Sequence, residues 1–167
     1  NNDSPVFVEI NPYQLSKVQK KARNVKTFKT DKTESFDNGQ KSGYRKGDIY
    51  IKDKMIYKIT SSKTVAFGGV TSNTITSLSI PKTVKIGKKT YQVTAIASRA
   101  FVNRKKLKKV TIGANVSKIG NYAFYGCTNL KTITIKSTKL TASTVGSKAF
   151  SKIYTKATIK VPKGKKM

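Results

Sequence analysis

A period of 23 residues runs through this chain and constrains its fold more than any other feature. Ile96-Ala97-Ser98-Arg99-Ala100-Phe101 leads through Leu107 to Val110-Thr111-Ile112. Ile119-Gly120-Asn121-Tyr122-Ala123-Phe124 leads through Leu130 to Ile133-Thr134-Ile135. Phe101 and Phe124, Leu107 and Leu130, Val110 and Ile133, and Ile112 and Ile135 are each 23 positions apart. A third, longer unit runs from Val145-Gly146-Ser147-Lys148-Ala149-Phe150 to Ile159-Lys160-Val161. Periods of about 20–50 residues mark solenoids and related arrays, in which a unit buries its apolar face only against its neighbours. Such chains usually bind something and rarely catalyse.

Each unit has a physical logic. Val110 and Ile112 point to one side of a strand, Lys109 and Thr111 to the other. Stacking places Phe101, Phe124 and Phe150 in one column. The residue three after each Phe (Arg104, Cys127, Ile153) closes the unit through a short helical or irregular return. Gly120 and Gly146 recur where a tight turn would suit glycine, with Ala97 in the first copy. Ser77-Leu78-Ser79-Ile80-Pro81 reads as an earlier copy of the strand. Val84 to Ile96 reads as an inserted hairpin turning at Gly87-Lys88-Lys89. Farther upstream, Ile49-Tyr50-Ile51 and Met55-Ile56-Tyr57-Lys58-Ile59 form a hairpin around Lys52-Asp53-Lys54. Thr64-Val65-Ala66-Phe67 follows as a strand, with Gly68-Gly69 as a turn. The expected organisation is an extension or linker over 1–47, a β-hairpin cap over 48–76, and three to four repeats over 77–167 with the hairpin insertion at 84–96. Within the extension, Val6 to Ile10 suits a short strand. Leu15, Val18, Ala22 and Val25 give Tyr13 to Val25 a helical spacing.

Composition narrows the functional classes. The 167 residues suffice for one domain with a core. No apolar run approaches the ~20 residues of a helical span, so no membrane insertion is expected. The opening Asn1-Asn2-Asp3-Ser4 suggests a processed or excised piece, so the lack of a visible signal peptide says nothing about export. Cys127 is the single cysteine, which excludes an intrachain disulfide, and the chain has no histidine or tryptophan.

The charge is extreme, 35 basic against 7 acidic residues, and every acid lies at or before Asp53. From Lys54 to Met167 there are 24 Lys or Arg and no acid. Cations that cannot pair internally repel one another and favour polyanionic partners. A lysine coat that only solubilises a Thr-rich β protein is the alternative. Arginines are few (Arg23, Arg45, Arg99, Arg104), although Arg is the better fork for phosphates and bases.

The units resemble the BspA-type leucine-rich repeat family of bacterial surface proteins. The family pattern runs close to Leu-x-x-Val-x-Ile-x-x-x-Val-x-x-Ile-Gly-x-x-Ala-Phe-x-x-Cys. Leu107, Val110, Ile112, Val116, Ile119-Gly120, Ala123-Phe124 and Cys127 occupy each of those places. The resemblance covers roughly 77–162 and does not reach 1–47. Departures are Arg104 and Ile153 at the Cys place and the longer third unit. The resemblance implies a β-rich solenoid: a leucine-rich-repeat stack of short parallel strands with short helical or irregular returns and a hairpin-rich N-terminal cap. It also implies a secreted or cell-surface location and a role in adhesion or binding, and it brings no catalytic motif.

Candidate sites follow. Cys127 fits a buried core position better than a reactive thiol. No cofactor is expected, and no metal: histidine is absent and no carboxylate follows Asp53. Acid–base catalysis in the repeats would rest on Lys or Tyr alone. Gly68-Gly69 and Gly87-Lys88-Lys89 are hairpin-type sequences and not phosphate loops. The outward strand positions form the candidate binding face. Ser77, Lys109, Thr132 and Thr158 make one column and Ser79, Thr111, Thr134 and Lys160 the next, flanked by Pro81, Gly113, Lys136 and Pro162. High β propensity of Thr on an exposed sheet is the bland explanation. Lys105, Lys106, Lys108 and Lys109 form the densest basic cluster.

The leading expectation is a non-catalytic surface module that binds a host surface or matrix protein, a glycan or an anionic cell-wall polymer. A nucleic-acid or polyanion binder comes second, because arginine is scarce and the tyrosines sit singly, not as a stacking platform. An accessory domain of a larger cell-wall enzyme is a third reading. Oligomeric state is not readable from the sequence.

Overall fold

The computed structural model describes residues 45–164. The strand expected at Val6 to Ile10, the helix expected at Tyr13 to Val25 and most of the 1–47 extension lie outside them. The described residues form a β-solenoid of about four turns with almost no helix. Its strands are β1 (Ile49–Lys52), β2 (Met55–Ile59), β3 (Thr64–Val70), β4 (Ser77–Ile80), β5 (Thr83–Ile86), β6 (Lys89–Ile96), β7 (Lys109–Ile112), β8 (Lys118–Ile119), β9 (Thr132–Ile135) and β10 (Thr158–Lys160).

The 23-residue register becomes a parallel sheet in the order β10-β9-β7-β4. Leu78, Val110, Ile133 and Ile159 pair across it in one row, and Ile80, Ile112 and Ile135 in the next. A second sheet, β1-β2-β3-β6-β5 with β8 on β6, carries the other side. Its parallel part runs from β3 through β6 and β8 to Val145, which bridges to Ile119. β1 and β2 make the antiparallel hairpin expected around Lys52-Asp53-Lys54. Its two turn residues, Asp53 and Lys54, have φ of 50° and 65°, as a tight two-residue hairpin turn requires. β5 and β6 make the inserted hairpin, starting one residue before Val84, with Ile86 opposite Lys89.

The core lies between the two sheets. Phe101 and Phe124 stack with ring centroids 4.8 Å apart, and Phe124 and Phe150 with centroids 5.3 Å apart, both pairs nearly parallel. The column extends to Phe67, 5.8 Å from Phe101, and Tyr57 caps it edge-on at 5.4 Å. Offset-stacked rings add about 0.5–1.5 kcal/mol per pair beyond their area burial. Leu107, Val110, Ile112, Val116, Ile119, Leu130 and Ile133 are fully buried beside the column. β10 ends the described stack, so Ile159 stays 41 % exposed.

Of the two forms expected for the returns, helical or irregular, the irregular one is found: they are chains of turns, and the one helical piece among the described residues is a 3-10 turn at Ala142–Thr144. Arg99, Asn103, Tyr122, Lys148 and Lys152 have φ between 53° and 59°, and Gly126 has φ of 75°. A left-handed residue every few positions breaks a right-handed helix. Gly68-Gly69 is not a turn but part of β3. The pairing jumps from Ile56↔Gly69 to Tyr57↔Phe67, leaving Gly68 as the extra residue of a bulge. A Cβ on Gly68 would sit 3.1 Å from Ile56 Cγ2. Gly120 and Gly146 do not supply positive φ. They permit close approach between coils: a Cβ on Gly120 would run into the Ser98 backbone, and one on Gly146 into Asn121.

Candidate binding surface

The outward face of the β4-β7-β9-β10 sheet is set by register alone. Pairing places Ser77, Lys109, Thr132 and Thr158 in one row and Ser79, Thr111, Thr134 and Lys160 in the next, the rows expected from the aligned repeats. Thr111, Thr132 and Thr134 are half-buried in the middle of the face. Lys109, Thr158, Lys160, Ser77 and Ser79 stand exposed around them. Lys136, also exposed, follows β9, and its N–H donates to the Ile112 carbonyl at 2.9 Å. The face thus carries half-buried threonine hydroxyls at its centre, with exposed lysines (Lys109, Lys136, Lys160) and further hydroxyls (Ser77, Ser79, Thr158) about them. Lys105, Lys106 and Lys108 are exposed on the return that leads into β7, next to Lys109.

Turn-to-turn hydrogen bonds build a second surface on the returns. The N–H groups of Arg99, Phe101 and Asn103 donate to the carbonyls of Asn121, Ala123 and Tyr125. Those of Tyr122, Phe124 and Gly126 donate in turn to Ser147, Ala149 and Ser151. Arg99, Tyr122 and Lys148 therefore fall in one column across three coils, with Asn103, Gly126 and Lys152 in another. The Arg99 guanidinium lies 4.8 Å from the Tyr122 ring centroid, and Lys148 Nζ 5.8 Å from it. Lys152 Nζ lies 5.3 Å from the Tyr125 ring. Tyr122 and Tyr125 meet edge to face at 5.3 Å. The tyrosines therefore do not all sit singly; these two pair because the turn brings positions three apart together. Sequence reasoning missed this arc. The available signal was two tyrosines three apart within a repeat whose neighbouring copies carry cations in register.

The polar groups inside the stack are spoken for. The Cys127 thiol donates to the Phe101 carbonyl at 2.9 Å, and burial pushes its pKa up to about 11. It is a core group, as expected, and a poor nucleophile at neutral pH. Arg104, at the Cys place of the preceding unit, instead donates to the carbonyls of Ser72 and Val70 at 3.2 and 3.1 Å, tying the return to the loop after β3. Asn115 reaches the Lys82 carbonyl, Asn129 the Lys105 carbonyl and Ser137 the Val116 carbonyl, each one coil away. Among the described residues, no group of three or more Cys, Asp and Glu is placed to hold a metal ion. No helix among them is long and apolar enough to cross a membrane.

The family described as BspA type leucine-rich repeat region, in six copies, matches residues 94–166. A leucine rich cell surface protein from Faecalibacterium prausnitzii is similar over 68 % of this chain, at 29 % identity and TM-score 0.55. This chain spans only 31 % of that protein's length. A leucine-rich repeat protein from Bacteroides capillosus is 19 % identical over 68 % of this chain and 98 % of its own, with TM-score 0.46. The pneumococcal vaccine antigen PcpA is 20 % identical over 74 % of this chain and 40 % of its own, with TM-score 0.49. No curated protein sequence matches the chain. The coils built on the 23-residue register, residues 94–166, belong to the BspA-type leucine-rich repeat family.

Proposed function

We propose that this chain is a non-catalytic binding module displayed outside a bacterial cell, which holds a host surface or matrix protein, a glycan or an anionic cell-wall polymer on its parallel-sheet face. The family assignment of the repeats and the likeness to a cell surface protein support the extracellular setting. The observation that carries the reading is the sheet face itself. Two rows of side chains, fixed by strand register, present threonine and serine hydroxyls interspersed with exposed lysines. Rigid elements hold binding groups more exactly placed than loops do. Catalysis has little to work with: the chain lacks histidine, and its one thiol is buried and bonded to a carbonyl.

The test is binding at physiological ionic strength to intact bacterial wall and to a panel of host matrix proteins. The Thr111→Tyr/Thr134→Tyr variant blocks the face without changing charge, and Tyr is well tolerated on an exposed sheet. Loss of binding in this folded variant is the expected result. A ligand held equally well by wild type and variant would rule out the sheet face as the binding surface.

A further inference from the structure

The returns carry a feature that a solubilising coat does not need. Arg99, Lys148 and Lys152 each lie within 6 Å of a tyrosine ring centroid, and they belong to coils on either side of the one that bears Tyr122 and Tyr125. Four of these five residues, Arg99, Tyr122, Lys148 and Lys152, have backbone φ between 53° and 59°. L-residues with long side chains adopt that region only at a cost, and Gly126, in the column of Lys152, shows the unstrained solution. Strained backbone that carries a coherent set of side chains points to use of those side chains.

We propose that this arc binds an anionic polysaccharide strand lying along the stacking axis, with Arg99, Lys148 and Lys152 meeting its sulfate or carboxylate groups. The proposal rests on the surface-binding reading above but places the anion on the returns and not on the sheet. Arg99 and Lys148 stand two coils apart, about 10 Å at the strand spacing of a sheet, so the cations repeat along the axis. Holding each cation over a ring fixes its rotamer during folding, which leaves less entropy to lose on binding. The hydrogen bond that Lys152 shares with Tyr125 raises the lysine's pKa and keeps it charged.

Two features select a polysaccharide. The tyrosine between the coils has its neighbours' cations against it, so it offers no open platform on which bases could stack. Exposed Ser98, Asn121 and Ser147 border the column one position upstream of Arg99, Tyr122 and Lys148, and supply neutral donors and acceptors for sugar hydroxyls. The exposed large apolar side chains of the described residues, Ile159 and Val161, lie at β10 and just after it, in the last coil.

The test uses heparin fragments and single-stranded DNA as probes, titrated calorimetrically at physiological ionic strength. Tyr122→Leu/Tyr125→Leu removes the rings at unchanged charge, and heparin affinity should fall about fivefold or more, as loss of the cation–ring contacts implies. Arg99→Gln/Lys148→Gln/Lys152→Gln should weaken heparin well beyond the equally charged control Lys105→Gln/Lys106→Gln/Lys108→Gln. Thr111→Tyr/Thr134→Tyr, which alters the sheet face, should weaken heparin less than the arc triple does. If circular dichroism shows the ring variant unfolded, the comparison of the two charge triples decides alone, since all six cations are exposed. Equal losses in the two triples would overturn the arc in favour of diffuse charge. DNA bound as tightly as heparin, with the same loss in the arc triple, would overturn the polysaccharide. Heparin lost in the sheet variant would move the anion to the sheet. Wall or matrix binding that fails while the arc still holds heparin would count against the sheet-face reading alone.

Discussion

Phe124 sits at the centre of the ring column, stacked on Phe101 below and Phe150 above, with no exposed surface. Phe124→Ala should cost about 3–5 kcal/mol in chemical denaturation, as emptying a packed aromatic site does. Ile159→Ala, on the open end of the same sheet, should cost far less. A second residue-scale prediction concerns pH. The folded Cys127 thiol titrates near pH 11, burial being the main cause, against an ordinary value of 9.0. Its folded pKa is raised, so the stability it contributes is complete below about pH 9 and is lost as pH rises towards 11. Between pH 8 and 10 the wild type should lose on the order of 1 kcal/mol that Cys127→Ala does not lose. Urea midpoints at the two pH values measure the difference. Tyr57, raised to about 12 by burial and by the charge of Asp53, adds a loss of the same sign at still higher pH, common to both proteins. An identical pH slope in the two proteins would show that the thiol is not buried as described.

At the scale of elements, register was legible and backbone chemistry was not. The 23-residue spacing of Val110 and Ile133 placed the pairing of β7 with β9, because a solenoid strand must repeat its neighbour to bury the same face; β4 and β10, at 32 and 26 residues, were placed by the same apolar alternation. The rows of Lys109, Thr111, Thr132 and Thr134 followed for the same reason. Gly68-Gly69 misled because a glycine pair serves a bulge as well as a turn, and only the pairing partner tells them apart. Arg99 and Tyr122 gave no warning of left-handed backbone, since neither is a residue type that favours it. Gly120 signalled a tight place correctly, but the constraint is the neighbouring coil and not φ. Gly113 shows the same constraint at the end of β7: a Cβ there would lie 2.7 Å from the Ile80 carbonyl oxygen and 2.8 Å from the Lys82 nitrogen. Both are backbone atoms, which cannot swing aside as a side chain would. Gly113→Ala should destabilise by about 1–3 kcal/mol, the range for overpacking. A thermal melt unchanged by the substitution would mean that the coils can part there without cost.

For the whole molecule, the excess of cations and the order of the stack compete as explanations of binding. A chain of net charge +28 will meet any polyanion at low salt. Such binding decays linearly in a log–log plot as salt rises, because counterions are released, and it depends on how many charges are removed and little on where they lie. Binding through placed groups, as proposed, would instead use two separate surfaces, the sheet face and the arc of ring-held cations, each with its own ligand. The most direct measurement is a salt titration of binding to intact bacterial wall, to heparin and to a host matrix protein, with wild type, sheet-face variant and the two charge triples side by side. If the surfaces are placed as proposed, at least one of the wall and matrix ligands survives physiological salt and is lost in Thr111→Tyr/Thr134→Tyr, while heparin distinguishes the arc triple from its control. Binding that disappears for every ligand by physiological salt, in step with the number of lysines removed and regardless of their position, would contradict both surfaces and leave charge alone as the cause.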